Sequence, residues 1–215
     1  MRTFFTADTH FGHSAVIQYS QRPYRDVSDM DAQLIANWNA VVGPRDVVYH
    51  IGDFALCKAP QAIEIAAKLN GRKYIVWGNH DKHVRKGAAL DAFSKHFTPL
   101  EAQTMIKVED PDAGAAMGGV QRIVLSHYAM LVWDRSHYGV WHLHGHSHGS
   151  MPDDPTARRL DVGVDAWETQ CHEIDHIARI ITHPIRKLYR PVSYEEVKAR
   201  MALKTWRPVD GHVER

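Results

Sequence analysis

The chain has 215 residues, enough to bury a large core and closer to the size of one domain than of two. Its 26 Lys and Arg stand against 25 Asp and Glu, so no bulk charge argues for a nucleic-acid or acidic-polymer partner, although a local basic patch stays open. Cys57 and Cys171 form no CxxC pair and no 18 uncharged apolar residues run together, which excludes a disulfide framework, a zinc knuckle and a membrane span; the expectation is a soluble, cytoplasmic protein with reduced thiols and no membrane partner.

In chain order, RTFFTAD at 2–8 reads as a strand ending on Asp8, with His10 two residues on. SDMDAQLIANWNAVVG reads as a helix, with Ser28 and Asp31 as a capping box, Leu34, Ile35, Trp38 and Val41 or Val42 as its apolar face, and Gly43 and Pro44 as its stop. DVVYHIGD at 46–53 is a second strand, closed by Asp53. Pro60 opens a helix that runs through Ile63, Ile65 and Leu69 to Gly71. RKYIVWGNHD at 72–81 is a third strand running into Gly78, Asn79, His80 and Asp81, and the helical stretch after it, roughly 82–94, is interrupted by Gly87. Strands at 101–108 and 120–126 flank EDPDAGAAMGG and predict a hairpin, the second ending on His127. VWHLHGH at 140–146 leads to His146 and His148, and RRLDVGVD at 158–165 is a further strand. The first half predicts βαβ units and the second antiparallel strands, together an α/β architecture with helices covering a mixed sheet or two sheets.

Metal-capable side chains therefore close five strands. By itself a strand-end Asp is usually a turn-former, and a single His is more often structural than a ligand, even in a chain with 16 of them. Five coincident cases point to convergence in the crevice beyond the carboxyl ends of the strands. Carboxylate, imidazole and one amide oxygen suit Mn²⁺, Fe²⁺ or Zn²⁺, and the donor count suits two ions better than one, with a carboxylate bridging metals roughly 3.5 to 4 Å apart.

The series DTH at 8–10, GD at 52–53, GNHD at 78–81, SH at 126–127 and GHSH at 145–148 resembles the calcineurin-like metallophosphoesterases in order, spacing and spelling. The resemblance implies a four-layered αββα sandwich of two mixed β-sheets flanked by helices, with hydrolysis of phosphomonoesters or phosphodiesters by attack of a metal-bound hydroxide. Carried over residue by residue, it implies that Asp8, His10, Asp53 and His148 hold one metal and Asp53, Asn79, His127 and His146 the other, with Asp53 as the bridge. His80 would be the general acid toward the leaving oxygen, oriented by Asp81. The implied cofactors are two divalent ions, Mn foremost, with Fe, Zn, Ni or Co as alternatives. RSHYGVWHLHGHSHG and LDVGVDAW extend the likeness to small bacterial and phage phosphoesterases of unassigned substrate.

Cations and aromatics flank these motifs, and His13, Arg25, Tyr128 and Trp133 are the candidate substrate-binding residues among them. Such a mixture suits a nucleotide or single-stranded nucleic acid. With no long basic stripe or separate binding domain, a small phosphoester, nucleotides included, is the preferred partner, and a nuclease on the same fold is the alternative. His142 and His144 share one strand face, either beside the ligands or as a polar face. HEIDH at 172–176 matches the H-E-x-x-H pattern, but in so His-rich a chain, without a third ligand at the metzincin spacing, a zinc peptidase is set aside. A non-enzymatic metal-binding scaffold is disfavoured by the intact His80 and the complete ligand set. Between VDAW and PVSYEEVKARM the chain departs from the resembled subgroup, which predicts a helical insertion at about 168–190 within a single domain of 1–215.

Overall fold

A computed structural model describes residues 1–113, 118–167 and 188–206. The first of its two sheets has the strand order β4-β3-β2-β1-β9. In it β1 (Thr3–Thr6), β2 (Val47–Ile51), β3 (Arg72–Val76) and β4 (Phe97–Pro99) run parallel, and β9 (Val192–Ser193) closes one edge antiparallel to β1. The second sheet is β5 (Gln103–Glu109), β6 (Val120–Ser126), β7 (Trp141–His144) and β8 (Arg159–Asp161), in that order. The helices are α1 (Ser14–Tyr19), α2 (Val27–Val41), α3 (Ala59–Lys68), α4 (Gly87–Phe93) and α5 (Tyr194–Ala202). Two mixed sheets with helices make the expected α/β sandwich. No helix among the described residues is long and apolar enough to cross a membrane.

Side-chain alternation explains why the first sheet sits in the middle. Phe4, Val48 and Ile75 turn toward the helices, joining Leu34, Trp38 and Ile65, while Phe5, Ile51 and Val76 turn the other way onto Ile123, Leu125 and Leu143 of the second sheet. A strand buried on both faces needs a nearly continuous apolar run, which VVYHI supplies. Burying each such phenylalanine stabilises the fold by about 1.5–3 kcal/mol. The outer face of the second sheet packs Val124, Trp133 and Val140 with Met105 and Met130.

Two expectations are corrected here and a third, the interruption near Gly87, holds. The second half is not antiparallel throughout: β5 and β6 pair antiparallel, but β6, β7 and β8 run parallel, because the segments 127–140 and 145–158 are long enough to return the chain to the same edge. Helix α2 is capped not by Ser28 and Asp31 but by Asp26, whose side chain accepts from Asp29 N at 2.9 Å. It begins at Val27, so Ser28 falls inside its first turn, and Asp31 instead accepts the N–H of Gly12 at 2.9 Å. The stretch at 82–94 splits into a 3₁₀ turn (Asp81–Val84) and α4, with the break just before Gly87.

The chain leaves the second sheet through residues 162–167, where Ala7 and Gly163 make a parallel bridge. Leu188 N then donates to Trp167 O at 2.8 Å. The insertion expected at about 168–190, with HEIDH and Cys171, lies outside the described residues apart from 188–190. After it, Ser193 and Glu196 form a capping box that starts α5.

Candidate metal centre

Parallel strands put their carboxyl ends on one edge, and the loops leaving β1, β2, β3, β6, β7 and β8 meet there. Asp8 N donates to Gly52 O, and His10 N to Asp53 O, both at 3.0 Å, which joins the first two loops side by side. The loops are tightly wound. Asp8, His10, Asp53, His146 and His148 all have left-handed backbones, with φ from 49° to 69°, a region that costs an L-residue roughly 1–2 kcal/mol. Packing and hydrogen bonds must hold them there, and they do: His146 N donates to both Asp8 carboxylate oxygens, at 3.0 and 2.9 Å, and His80 N donates to Asp53 Oδ1 at 2.9 Å. The carboxylates are wedged against bare backbone. A Cβ on Gly78 would stand 2.1 Å from Asp53 Oδ1, and one on Gly163 would stand 2.6 Å from Asp8 Oδ2.

The loops gather two sets of donors, Asp8, His10 and His148 in one and Asp53, His127 and His146 in the other, each with its ligand atoms within 4.8 Å of one another. Asp53 Oδ2 faces both, lying 3.6 Å from His10 Nε2 and 3.4 Å from His127 Nε2. Asn79 Oδ1 adds an amide oxygen 3.1 Å from His127 Nε2. All seven residues that the sequence singled out as ligands are thus brought together.

The chemistry of these donors fits divalent cations. His10 Nε2 is buried without a hydrogen-bond partner, and burial lowers its pKa to about 2, so the ring is in the neutral form that ligates. His127 donates from Nδ1 to Ile51 O at 2.9 Å, which leaves Nε2 facing the two acceptors Asp53 Oδ2 and Asn79 Oδ1. That arrangement needs a positive centre between them, either a proton or a cation. Burial opposes the proton, but the hydrogen bond to Asp53, the Asp8 and Asp53 charges and the Ile51 carbonyl together raise the ring to about 9. Asp8, wholly enclosed, is raised to about 7, chiefly by burial, against the pull of His148 and His127. Burial pushes Asp53 upward too, but His127, the His80 N–H and His10 outweigh it and hold the carboxyl below its usual range.

His80 stands over the first set, with its ring centroid 5.3 Å from that of His10 and 6.2 Å from that of His13. His13, which opens α1, lies 3.3 Å from His10, Nδ1 to Nδ1. Tyr128 is 51% exposed, donates to Asn79 Oδ1 at 3.3 Å and sets its ring 4.6 Å from that of His146. Beside Asn79 and Tyr128 a cavity of about 530 Å³ opens, walled by Trp77, Arg85, Pro99 and Leu100.

Two sequence-based roles are corrected. Asp81 does not orient His80: its carboxylate is fully buried and accepts the backbone N–H groups of Phe54, Asp53 and Gly78 at 2.8, 3.0 and 2.8 Å. Saturated in this way, it ties the Asp53 loop to the Asn79 loop. Arg25, just before α2, has a side chain 85% exposed and pairs with Asp29 four residues on. Trp133 is a core residue, donating from Nε1 to Val140 O at 2.9 Å and packing on Val124. His142 is also structural, bonded to Val124 O and Met130 N. His50 is as well, bonded to the Thr9 hydroxyl at 2.9 Å.

Sequence reasoning missed the buried pair that stands behind the first set. Asp165 accepts from His148 Nδ1 at 2.6 Å and from Arg22 through Nε and Nη2 at 2.9 and 2.7 Å, and Arg22 also donates to Thr9 O and Asp8 O. LDVGVDAW contains the signal, since an acid follows a β-strand there just as Asp8 and Asp53 follow theirs.

Residues 1–167 match the family model for calcineurin-like phosphoesterases. An uncharacterized protein of Methanocaldococcus jannaschii is 29% identical over 187 residues, covering 84% of this chain and 91% of its own length. The gene 66 protein of Mycobacterium phage L5 is 29% identical over 182 residues, covering 77% and 87%. A solved protein of unknown function from Aquifex aeolicus shares the fold, with a TM-score of 0.58 at 20% identity over 93% of this chain and 98% of that one.

Proposed function

The chain belongs to the calcineurin-like phosphoesterase family, and from that premise we propose that it is a dinuclear metallohydrolase acting on small phosphoesters in the cytoplasm. Asp8, His10, Asp53 and His148 would hold one cation, and Asp53, Asn79, His127 and His146 the other. The observation that carries this reading is Asp53 Oδ2, which lies within 3.6 Å of a histidine nitrogen from each donor set. Bound there, two divalent ions supply Lewis acidity toward phosphoryl oxygens and lower the pKa of water. Mn²⁺ is the ion we propose first, with Fe, Zn, Ni and Co ions as the alternatives to be compared.

The protein's own residues do the rest. His80 gives a proton to the departing oxygen, and its backbone bond to Asp53 Oδ1 fixes where the ring starts from. His13, beside both His80 and His10, lines the same side for substrate. Tyr128 holds the Asn79 amide by its oxygen, which keeps that oxygen turned toward His127.

The test is a panel of alkyl and aryl phosphomonoesters and phosphodiesters, with single-stranded DNA included, assayed on metal-stripped protein before and after adding Mn²⁺. Hydrolysis of small esters that appears with the metal is expected. Preferential cleavage of DNA would move the reading to a nuclease, and full binding of two ions with no hydrolysis would leave a scaffold.

A further inference from the structure

The cavity beside the metal centre lies at a definite end of it. Its floor includes Asn79 and one wall is Tyr128, whose ring rests on those of His127 and His146 at 5.1 and 4.6 Å. His80 keeps to the other donor set, against His10 and His13. A phosphorus atom held between the two sets would have His80 on one side and the cavity on the other. The oxygen that leaves takes its proton from His80, so the group reaching the cavity is a different substituent of phosphorus, one that a monoester lacks.

The lining says what kind of group it is. Trp77 and Leu100 give flat and aliphatic walls, the Arg85 guanidinium sits 5.7 Å from the Trp77 ring centre, and Ala102 lies at the exposed rim beside the Glu101 carboxylate, which repels further phosphate and can accept from a ring N–H. A single cation is too few for a polyphosphate, and the charge is out of place for an alkyl chain. Aromatic surface with one fork of donors suits a planar heterocycle, which offers a face to stack and an edge that accepts hydrogen bonds. A volume of about 530 Å³ is in the range of cavities that hold ligands larger than a bare phosphate.

We propose that this cavity binds the ester arm retained on phosphorus, so that the substrate is a phosphodiester with a nucleoside-like arm. This rests on the metallophosphoesterase reading and on His80 as proton donor. In the reaction, the oxygen of water bonds to phosphorus and the bond to the leaving oxygen breaks with its electron pair. His80 protonates that oxygen and regains a proton from the one that water gives up. The product is a nucleoside monophosphate with its base still in the cavity.

Three nitrophenyl esters with one leaving group test this: thymidine 5′-(p-nitrophenyl phosphate), methyl p-nitrophenyl phosphate and p-nitrophenyl phosphate. The wild-type protein with Mn²⁺ should favour the thymidine ester over the other two by about tenfold or more in kcat/KM. In Arg85→Ala, and in Ala102→Trp, which fills the rim, the thymidine-to-methyl ratio should fall about tenfold. Calorimetry should show thymidine 5′-phosphate binding to the metal-loaded protein weakened in step. Equal losses on both diesters, an unchanged ratio, or a monoester that reacts as well as the thymidine ester would overturn the proposal. If no ester is hydrolysed, the metallophosphoesterase reading fails, and calorimetry still decides the cavity: binding that neither variant weakens would overturn it as well.

Discussion

Nδ1 of His148 donates to Asp165 Oδ2 at 2.6 Å, and Arg22 Nη2 donates to the same oxygen at 2.7 Å. The imidazole is therefore pinned with Nε2 turned toward Asp8 and His10, by a carboxylate that is itself held by a buried guanidinium. In Asp165→Asn the pin weakens and the Arg22 charge loses its counterpart. We expect the cation at the Asp8, His10 and His148 end to bind about 10- to 100-fold more weakly, with the other changed far less. The fold should lose about 3–5 kcal/mol in urea unfolding. Two unaltered affinities in a calorimetric Mn²⁺ titration would contradict the positioning role.

Asp53 is the carboxylate that faces both donor sets. Asp53→Asn should stay folded while losing most of its metal and nearly all of its hydrolytic activity. Elemental analysis checks this, and two equivalents retained with near-normal turnover would remove the basis for a shared ligand.

His80 and Asp81 are neighbours with separate duties. Replacing His80 with Ala or Asn should slow hydrolysis of alkyl esters by roughly 10²–10⁴, and of nitrophenyl esters much less, because a nitrophenolate leaves without a proton. Asp81→Ala strands three buried N–H groups, each costing about 1–3 kcal/mol, so its effect should appear in the melting temperature and in metal content. Its alkyl-to-aryl rate ratio should match the wild type. An Asp81 variant that reproduced the leaving-group pattern of the His80 variant would restore the orienting role.

The pH dependence of metal binding has a defined sign. Binding needs Asp8 ionised and the His127 Nε2 proton gone, and those protons are held up to about 7 and about 9. Cation affinity should therefore rise as pH climbs from 6 to 9, with protons released on binding. The same Asp8 shift acts on stability: the folded, cation-free protein keeps that proton to about 7, whereas an unfolded carboxyl keeps it to 3.8. Its contribution is thus full below the lower value and is lost as pH rises through the upper one. Mn²⁺ titrations at several pH values in two buffers measure the proton release, and a flat affinity would refute the assignment.

The convergence of seven candidate donors and the strands that carry them were legible in the sequence because strand ends leave marks that survive without context, an apolar run and then Asp or His, whereas the short edge strands β4 and β9 left none. Asp165 carries the same mark, but its partner Arg22 carries none, since that pairing depends on a contact across 143 positions. Trp133 and Asp81 were misread for the same reason. An aromatic near a site reads alike whether it faces the substrate or Val140, and an acid beside a histidine reads alike whether it grips the ring or the backbone. The parallel course of β6, β7 and β8 was hidden because strand patterns carry no direction.

The hydrogen bond from Leu188 to Trp167 sets these two residues side by side, so they form a closed neck rather than the ends of a link between distant parts. A segment inserted at such a neck can change length without moving Asp165 on one side or β9 on the other, because doubling a flexible linker adds only about 0.6 kcal/mol of closure entropy. The neck is therefore a graft point: a reporter domain with adjacent termini, spliced between Trp167 and Leu188, would ride on the fold as cargo.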